Sequence, residues 1–272
     1  MAKLTISEVR AWLETAEEGD PYFRELKSDS RAGIRKLLAS YERRKDKRRL
    51  ELERHLEKER FDNGFRLSAE SPVAGVDEAG RGPLAGPVVT AAVILPPSCP
   101  ELSGLDDSKA ISRERRERLA AVIREHAIAW SVHIQPAAEI DRLNIYGATR
   151  ESMEKAVAGL SVKPETVIAD AMALEGEVPC HPVVKADGLS LCVAAASVLA
   201  KTERDAYMKR LHEQYPAYGF DRHSGYGTAA HLEALEAHGP CPEHRKTFAP
   251  VAGFLVGTSG KAVQEKTIMD NL

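Results

Sequence analysis

Residues 73–95 read VAGVDEAGRGPLAGPVVTAAVIL. An apolar run ends in two adjacent carboxylates, Asp77 and Glu78; a loop with three glycines and two prolines follows, and then a second apolar run rich in β-branched residues. Apolar runs punctuated by Gly and Pro read as strands, so two strands are expected, over 73–76 and 88–95, with Arg81 at the tip of the loop between them. Paired acids beside a glycine-rich, basic-tipped loop can hold a divalent cation against a phosphate. An isolated Asp-Glu pair reads more readily as a solvated strand end, and it is the rest of the chain that overturns that reading.

Two further apolar runs end in an acid: TVIAD gives Asp170 and VVKAD gives Asp187. Strand ends of an α/β sheet converge on one rim, so four carboxylates from three segments can meet there. Such a cluster repels itself unless cations bridge it, and an all-oxygen ligand set selects a hard ion such as Mg²⁺ or Mn²⁺. No Cys/His set is interleaved with these acids, which disfavours zinc at this site. His231, His238, Cys241 and His244 do not have the spacing of a standard structural zinc site either.

Residues 5–60 carry apolar residues at helical spacing, and the charged stretch 39–60 has so narrow an apolar stripe that it reads as one long, largely exposed helix. Beyond about residue 70 strands and helices alternate. Helices are expected over 112–126, with Ser112 as N-cap, over 136–160 with an interruption at 144–147, and over 190–214; strands are expected over 127–134 and 166–170, and at 183–184. The pattern predicts an α/β fold, a mixed sheet flanked by helices, behind a basic helical extension spanning 1–70; a catalytic domain over 71–272 would then end in a polar tail after Gly257.

Charge supports that division. Residues 24–60 hold fourteen Lys and Arg against eight Asp and Glu, in a chain of formal net charge −3, so a basic appendage is joined to an acidic body. No apolar stretch approaches the roughly twenty residues of a membrane span, and the first residues are acidic and amphipathic instead of signal-like. Cys99, Cys180, Cys192 and Cys241 are scattered, as reduced thiols are. A cytoplasmic protein is expected.

These stretches, together with LDDSKAIS, VKADGLSLCVAAASVLAKTERD, YGFDRHSGYGTAAHLEAL and HRKTFAPV, resemble bacterial ribonuclease HII in order and spacing over residues 71–255. The resemblance implies a ribonuclease H-like fold and hydrolysis of the RNA strand of RNA–DNA hybrids, including single ribonucleotides embedded in duplex DNA. It implies two-cation (Mn²⁺ or Mg²⁺) in-line chemistry that leaves a 5′-phosphate and a 3′-hydroxyl. Its metal-binding and catalytic acids fall on Asp77, Glu78, Asp170 and Asp187, its ribonucleotide-sensing loop on Gly80, Arg81 and Gly82, and its junction-sensing tyrosine on Tyr226. Lys109, in DDSK, is a candidate phosphate contact.

One departure stands out: the family has Gly before the fourth acid and Ser or Ala after it, whereas this chain reads Lys185-Ala186-Asp187-Gly188. Arg81 could instead pair with a neighbouring acid and Tyr226 could simply pack on the surface, while Asp106, Asp107 and Asp205 read as solvated or capping acids. Two competing functions are a nuclease of the same fold without ribose selectivity and a non-catalytic hybrid-binding protein. A dinucleotide site is a weaker reading still, because AGRGPLAG is not G-x-G-x-x-G and Pro83 and Pro87 break the helix that should follow.

Overall fold

The computed structural model describes residues 4–16, 19–105 and 111–255. It comprises two compact units, 1–56 and 57–272. In the first, Thr5 and Glu8 form a reciprocal capping box that starts helix α1 (Ile6–Thr15). Val9 and Leu13 of α1, Leu26 of α2 (Tyr22–Lys27) and Ile34 and Leu38 of α3 (Ala32–Asn63) make a small core, with Trp12 edge-on to Tyr22 at 5.0 Å. The expected long helix is α3, and its residues 42–50, which carry the basic run, are all exposed.

The second unit is built on a five-stranded sheet of order β3-β2-β1-β4-β5. Strands β1 (Val73–Ala79), β2 (Val88–Ile94) and β3 (Ala129–Gln135) are antiparallel neighbours, while β4 (Thr166–Asp170) and β5 (Cys180–Val183) run parallel to β1. Side chains alternate across the sheet. Ala91 and Val93 pack against α4 (Arg113–His126) and α6 (Leu191–Gln214) on one face, whereas Ala92, Ile94, Ala74 and Val76 pack against α5 (Ala137–Ala158) on the other. The small residues Ala194, Ala195 and Ala196 let α6 lie close to β1. At Gly75 a Cβ would overlap the backbone of Cys192 and Val193, so only glycine fits there.

The helices and strands that the sequence places are found, with three differences, and two helices it does not place follow them, α7 (Phe220–His223) and α8 (Ala229–His238). Strand β1 runs on to Ala79, so Asp77 and Glu78 sit inside it and not beyond it. The last strand is Cys180–Val183, and Val184 is 72% exposed. The end of α3, from residue 57 on, belongs to the second unit and is not solvated: Lys58, Glu59 and Asp62 are buried on main-chain groups of that same unit. Lys58 Nζ donates to the carbonyls of Leu105 (3.4 Å) and Asp187 (3.0 Å), while Glu59 accepts from Cys99 N–H (2.7 Å) and Asp62 from Cys192 N–H (2.9 Å). Asp62 thus joins the N-cap Ser190 in satisfying the first amides of α6. The expected break in α5 is at Asn144, in a left-handed φ of 61°, whose Oδ1 accepts the Gly147 N–H. No helix among the described residues is long and apolar enough to cross a membrane.

Candidate active site

Because β1 and β4 are parallel and pair Val76 with Ala169, the next residues along each strand, Asp77 and Asp170, reach the same rim of the sheet. Asp77 is 6% exposed and shares the α6 face with Gly75; its carboxylate accepts from Ser197 of α6 and, at 2.7 Å, from the Glu78 N–H. Burial first, and then the charges of Glu78 and Asp170, push the Asp77 carboxyl well above the ordinary aspartate range. Burial likewise raises Glu78, the Arg81 guanidinium pulls it back, and Asp170 raises it again. Arg81 Nη1 lies 3.4 Å from Glu78 Oε1, so the ion pair foreseen for Arg81 exists.

Asp170 Oδ1 accepts the Ala186 N–H at 2.8 Å. This bond fixes the turn after β5, with Lys185 in a left-handed conformation (φ 59°) and Asp187 one residue further on. Asp187 itself is partly exposed, its Oδ1 accepting from Gly188 N–H at 2.9 Å. The Ala-for-Gly departure from the family pattern is thus accommodated: Ala186 is fully buried, and the bond to Asp170 uses only its amide.

A cation suits this rim. Three carboxylates interact electrostatically at Asp77, Glu78 and Asp170, and Glu78 Oε2 is buried without a hydrogen-bond partner. Buried unpaired carboxylate oxygens are costly unless a positive charge faces them. Among the described residues no three His, Cys, Asp or Glu side chains already converge as a ligand set, each carboxylate being engaged by a local donor as described above.

The loop after β1 is shaped from beneath by two arginines that residue-type reasoning missed. Arg245, fully buried, donates to the carbonyls of Gly80 (2.6 Å), Arg81 (2.8 Å) and Gly86 (3.0 Å). Arg204, 1% exposed, donates to those of Pro87 (3.1 Å), Ala85 (3.3 Å) and Ser224 (3.0 Å). Burial lowers the pKa of both, and Arg204 lowers that of Arg245 further by its charge, yet six charge-assisted bonds hold both guanidiniums in place. Gly80 has φ +97°, and a Cβ there would run into the Arg204 guanidinium. The loop is also tied to the turn carrying Tyr226, through Leu84 N–H to Gly225 O at 2.8 Å. As a result the Tyr226 ring, on a residue 49% exposed, lies beside Gly82, with Cε1 3.6 Å from where a Cβ of Gly82 would be.

The remaining candidates have other surroundings. Asp205 is not a solvated acid: it bridges Arg116 (3.2 Å) and Lys201 (2.6 Å), because the i, i+4 spacing on α6 brings Lys201 onto it. The four cysteines are free. Lys109, Asp106, Asp107 and the tail after Gly257 lie outside the described residues. His231 and His244 bond to each other (Nε2 to Nε2, 3.0 Å), and His238 packs edge-on against Tyr218. Burial and the neighbouring His231 lower the His244 pKa to about 4, against an ordinary value of 6.5. A histidine held neutral in the fold binds fewer protons than in the unfolded chain, so its contribution to stability is complete above pH 6.5 and is lost as pH falls towards 4. Melting temperature should therefore decline less steeply over that interval in His244→Gln than in the parent protein.

A mixed five-stranded sheet of this order flanked by helices is a ribonuclease H-like fold, and here carboxylates meet on its rim between β1 and β4. Residues 74–251 match the profile of ribonuclease HII and residues 5–66 that of the ribonuclease HII N-terminal domain. Ribonuclease HII of Bacillus anthracis is 47% identical over 256 residues, covering 94% of this chain and 99% of the relative. Among solved structures, ribonuclease H2 of Pyrococcus horikoshii superposes with a TM-score of 0.59 at 28% identity, over 67% of this chain and 96% of that one. The ribonuclease HII of Archaeoglobus fulgidus, solved in complex with PCNA, gives 0.56 at 28% identity, over 65% of this chain and 95% of that one. The chain belongs to the ribonuclease HII family. It is an endoribonuclease, a hydrolase with ribonuclease H activity on RNA–DNA hybrids.

Proposed function

We propose that this protein is a divalent-cation-dependent endonuclease that cuts on the 5′ side of single ribonucleotides in duplex DNA as well as within RNA–DNA hybrids, in the cytoplasm, leaving 5′-phosphate and 3′-hydroxyl ends. Asp77, Glu78, Asp170 and Asp187 would hold two Mg²⁺ or Mn²⁺ ions. Bound there, the ions supply charge neutralisation at the scissile phosphate. Asp77 and Asp170, adjacent on the rim, would be the ligands shared between or closest to the two ions; Glu78 and Asp187 would complete their separate shells, and Asp187, on its own turn, would orient water or assist product release. Gly80, Arg81 and Gly82 recognise the 2′-hydroxyl, which distinguishes ribose by both donating and accepting a hydrogen bond. Tyr226 rests on the next sugar, and Lys109 contacts a phosphate.

The observation that carries this reading is continuity: acids, glycine loop and tyrosine form one surface, because Arg204 and Arg245 hold the loop between the Asp77 rim and Tyr226. The decisive experiment incubates a DNA duplex carrying one ribonucleotide with Mg²⁺, with Mn²⁺ and with chelator. A single nick on the 5′ side of the ribonucleotide is expected with either metal and none with chelator; cutting in chelator would reject the metal requirement.

Residues 1–70 are proposed to hold an accessory basic region that binds phosphates through the exposed run Arg43, Arg44, Lys45, Lys47, Arg48 and Arg49. Deleting residues 1–56 should weaken binding and make the log–log salt dependence shallower by roughly 0.9 for each phosphate that the extension neutralises, with turnover at saturation nearly unchanged. The deletion stops at 56 because Lys58, Glu59 and Asp62 hold the backbone of the second unit. An unchanged slope would make the extension a structural or partner-binding element.

A further inference from the structure

The GYG turn is supported by a cluster of buried imidazoles that the chemistry above does not use. His231 and His244 are fully buried, and His223 stacks on His231 with ring centroids 4.6 Å apart at 17°. Phe220 and Tyr218 close the cluster from the side. One proton arrangement serves its polar contacts best, and the 3.3 Å approach of His244 Nδ1 to the Cys241 carbonyl is the contact it leaves without a hydrogen.

The main-chain carbonyl of Tyr226 lies 2.9 Å from His231 Nδ1; a carbonyl only accepts, so that nitrogen carries the hydrogen. In a neutral ring His231 Nε2 is then bare and accepts from His244 Nε2, 3.0 Å away. His244 Nδ1 is in turn bare and accepts the Cys241 N–H at 3.0 Å. The neighbouring ring is fixed in the same way: Gly225 N–H donates to His223 Nδ1 (3.2 Å), and His223 Nε2 donates to the Tyr218 carbonyl (2.8 Å). Burial lowers the pKa of both His231 and His244, which keeps the relay neutral.

We infer that His231 is a positioning residue for substrate selection: held in one tautomer by His244, it donates to the Tyr226 carbonyl and so fixes that tyrosine beside Gly82. The residue touches no substrate; it acts by setting where the tyrosine ring stands. This inference rests on the proposed role of Tyr226 at the ribonucleotide–deoxyribonucleotide junction.

Two near-isosteric variants separate this role from packing. In His231→Asn the amide nitrogen takes the place of Nδ1 and keeps the bond to Tyr226; in His231→Gln it takes the place of Nε2 and loses that bond. With Mg²⁺, the ratio of cleavage at a lone ribonucleotide to cleavage in an RNA tract should stay near wild type in His231→Asn. In His231→Gln it should fall roughly 2–10-fold, the value of one hydrogen bond, and adding His231→Gln to Tyr226→Ala should lower it no further than Tyr226→Ala does alone. Nitrogen-15 spectra of the full-length protein at pH 7.5 should show His231 protonated on Nδ1 and His244 on Nε2.

The opposite tautomer at His231 overturns the inference. So do Asn and Gln variants that affect both substrates alike while Tyr226→Ala remains selective. If Tyr226→Ala is itself unselective, the reading of the tyrosine fails and the relay is judged without activity. Faster amide exchange at Tyr226 and Thr228 in His231→Gln than in His231→Asn then supports the positioning, and equal exchange overturns it.

Discussion

Asp170→Asn should lower turnover by about three orders of magnitude or more while leaving the fold and hybrid binding nearly intact. Its carboxylate takes the Ala186 N–H through Oδ1, and the asparagine carbonyl can accept the same bond, so the turn that carries Asp187 survives. What disappears is one of the two charges that the register of β1 and β4 brings side by side. A charge that stabilises the reacting phosphate through a bound cation is worth several kcal/mol, and each 1.4 kcal/mol is tenfold in rate. Removing it also relieves Asp77 and Glu78, whose carboxyls Asp170 pushes up, so the metal-free variant should melt no lower than wild type. Steady-state cleavage with Mg²⁺, hybrid affinity and a thermal melt make the test. Wild-type turnover would take Asp170 out of the site.

The second large effect is expected from the substrate. A site built to bond a hydroxyl rejects an analogue without it by roughly 10⁴-fold, because its own polar groups are then left unpaired. An all-DNA duplex should accordingly remain uncut at enzyme concentrations that nick the same duplex carrying one ribonucleotide. Tyr226→Ala should impair that nick more than cleavage inside an RNA tract. A tract offers many registers and a second 2′-hydroxyl to hold, whereas a junction depends on the contact with deoxyribose. Equal losses on the two substrates would reduce Tyr226 to a packing residue, and cutting of all-DNA duplex would reject the ribose selectivity.

Much of this site could be read from residues alone, for a physical reason. Asp77 and Asp170 terminate apolar runs, and such runs locate the strands, although β1 continues two residues past Asp77 and Asp187 lies on a turn beyond β5. The same logic located the break at Asn144, a residue that tolerates a left-handed backbone. What could not be read is burial of charge. Arg204 and Arg245 look like any arginine in a polar stretch, and five of their six partners are main-chain carbonyls 117 to 165 residues away. Lys58, Glu59 and Asp62 lie in a helix whose local pattern is that of a solvated rod, yet they bond backbone groups 40 to 130 residues away. Backbone atoms leave no trace in residue type, so interactions with them are invisible until the fold is known. Asp205 failed differently: its i, i+4 partner Lys201 was in plain view, but the third member, Arg116, comes from another helix.

The two arginines under the glycine loop also bear on protein engineering. A segment as distinctive as residues 80–87 invites transplantation into another scaffold to confer ribose recognition, but its contour is imposed from outside. One imposing side chain comes from the middle of α6 and the other from the stretch after α8 (Ala229–His238). A graft of the eight residues would carry the letters without the shape. Lysine, a point charge without the guanidinium fork, could not stand in for either arginine. The smallest portable unit is discontinuous: the end of β1, the loop, the Ser224–Gly225–Tyr226 turn and both arginines. Chimeras between relatives should therefore exchange α6 and the segment around Arg245 together.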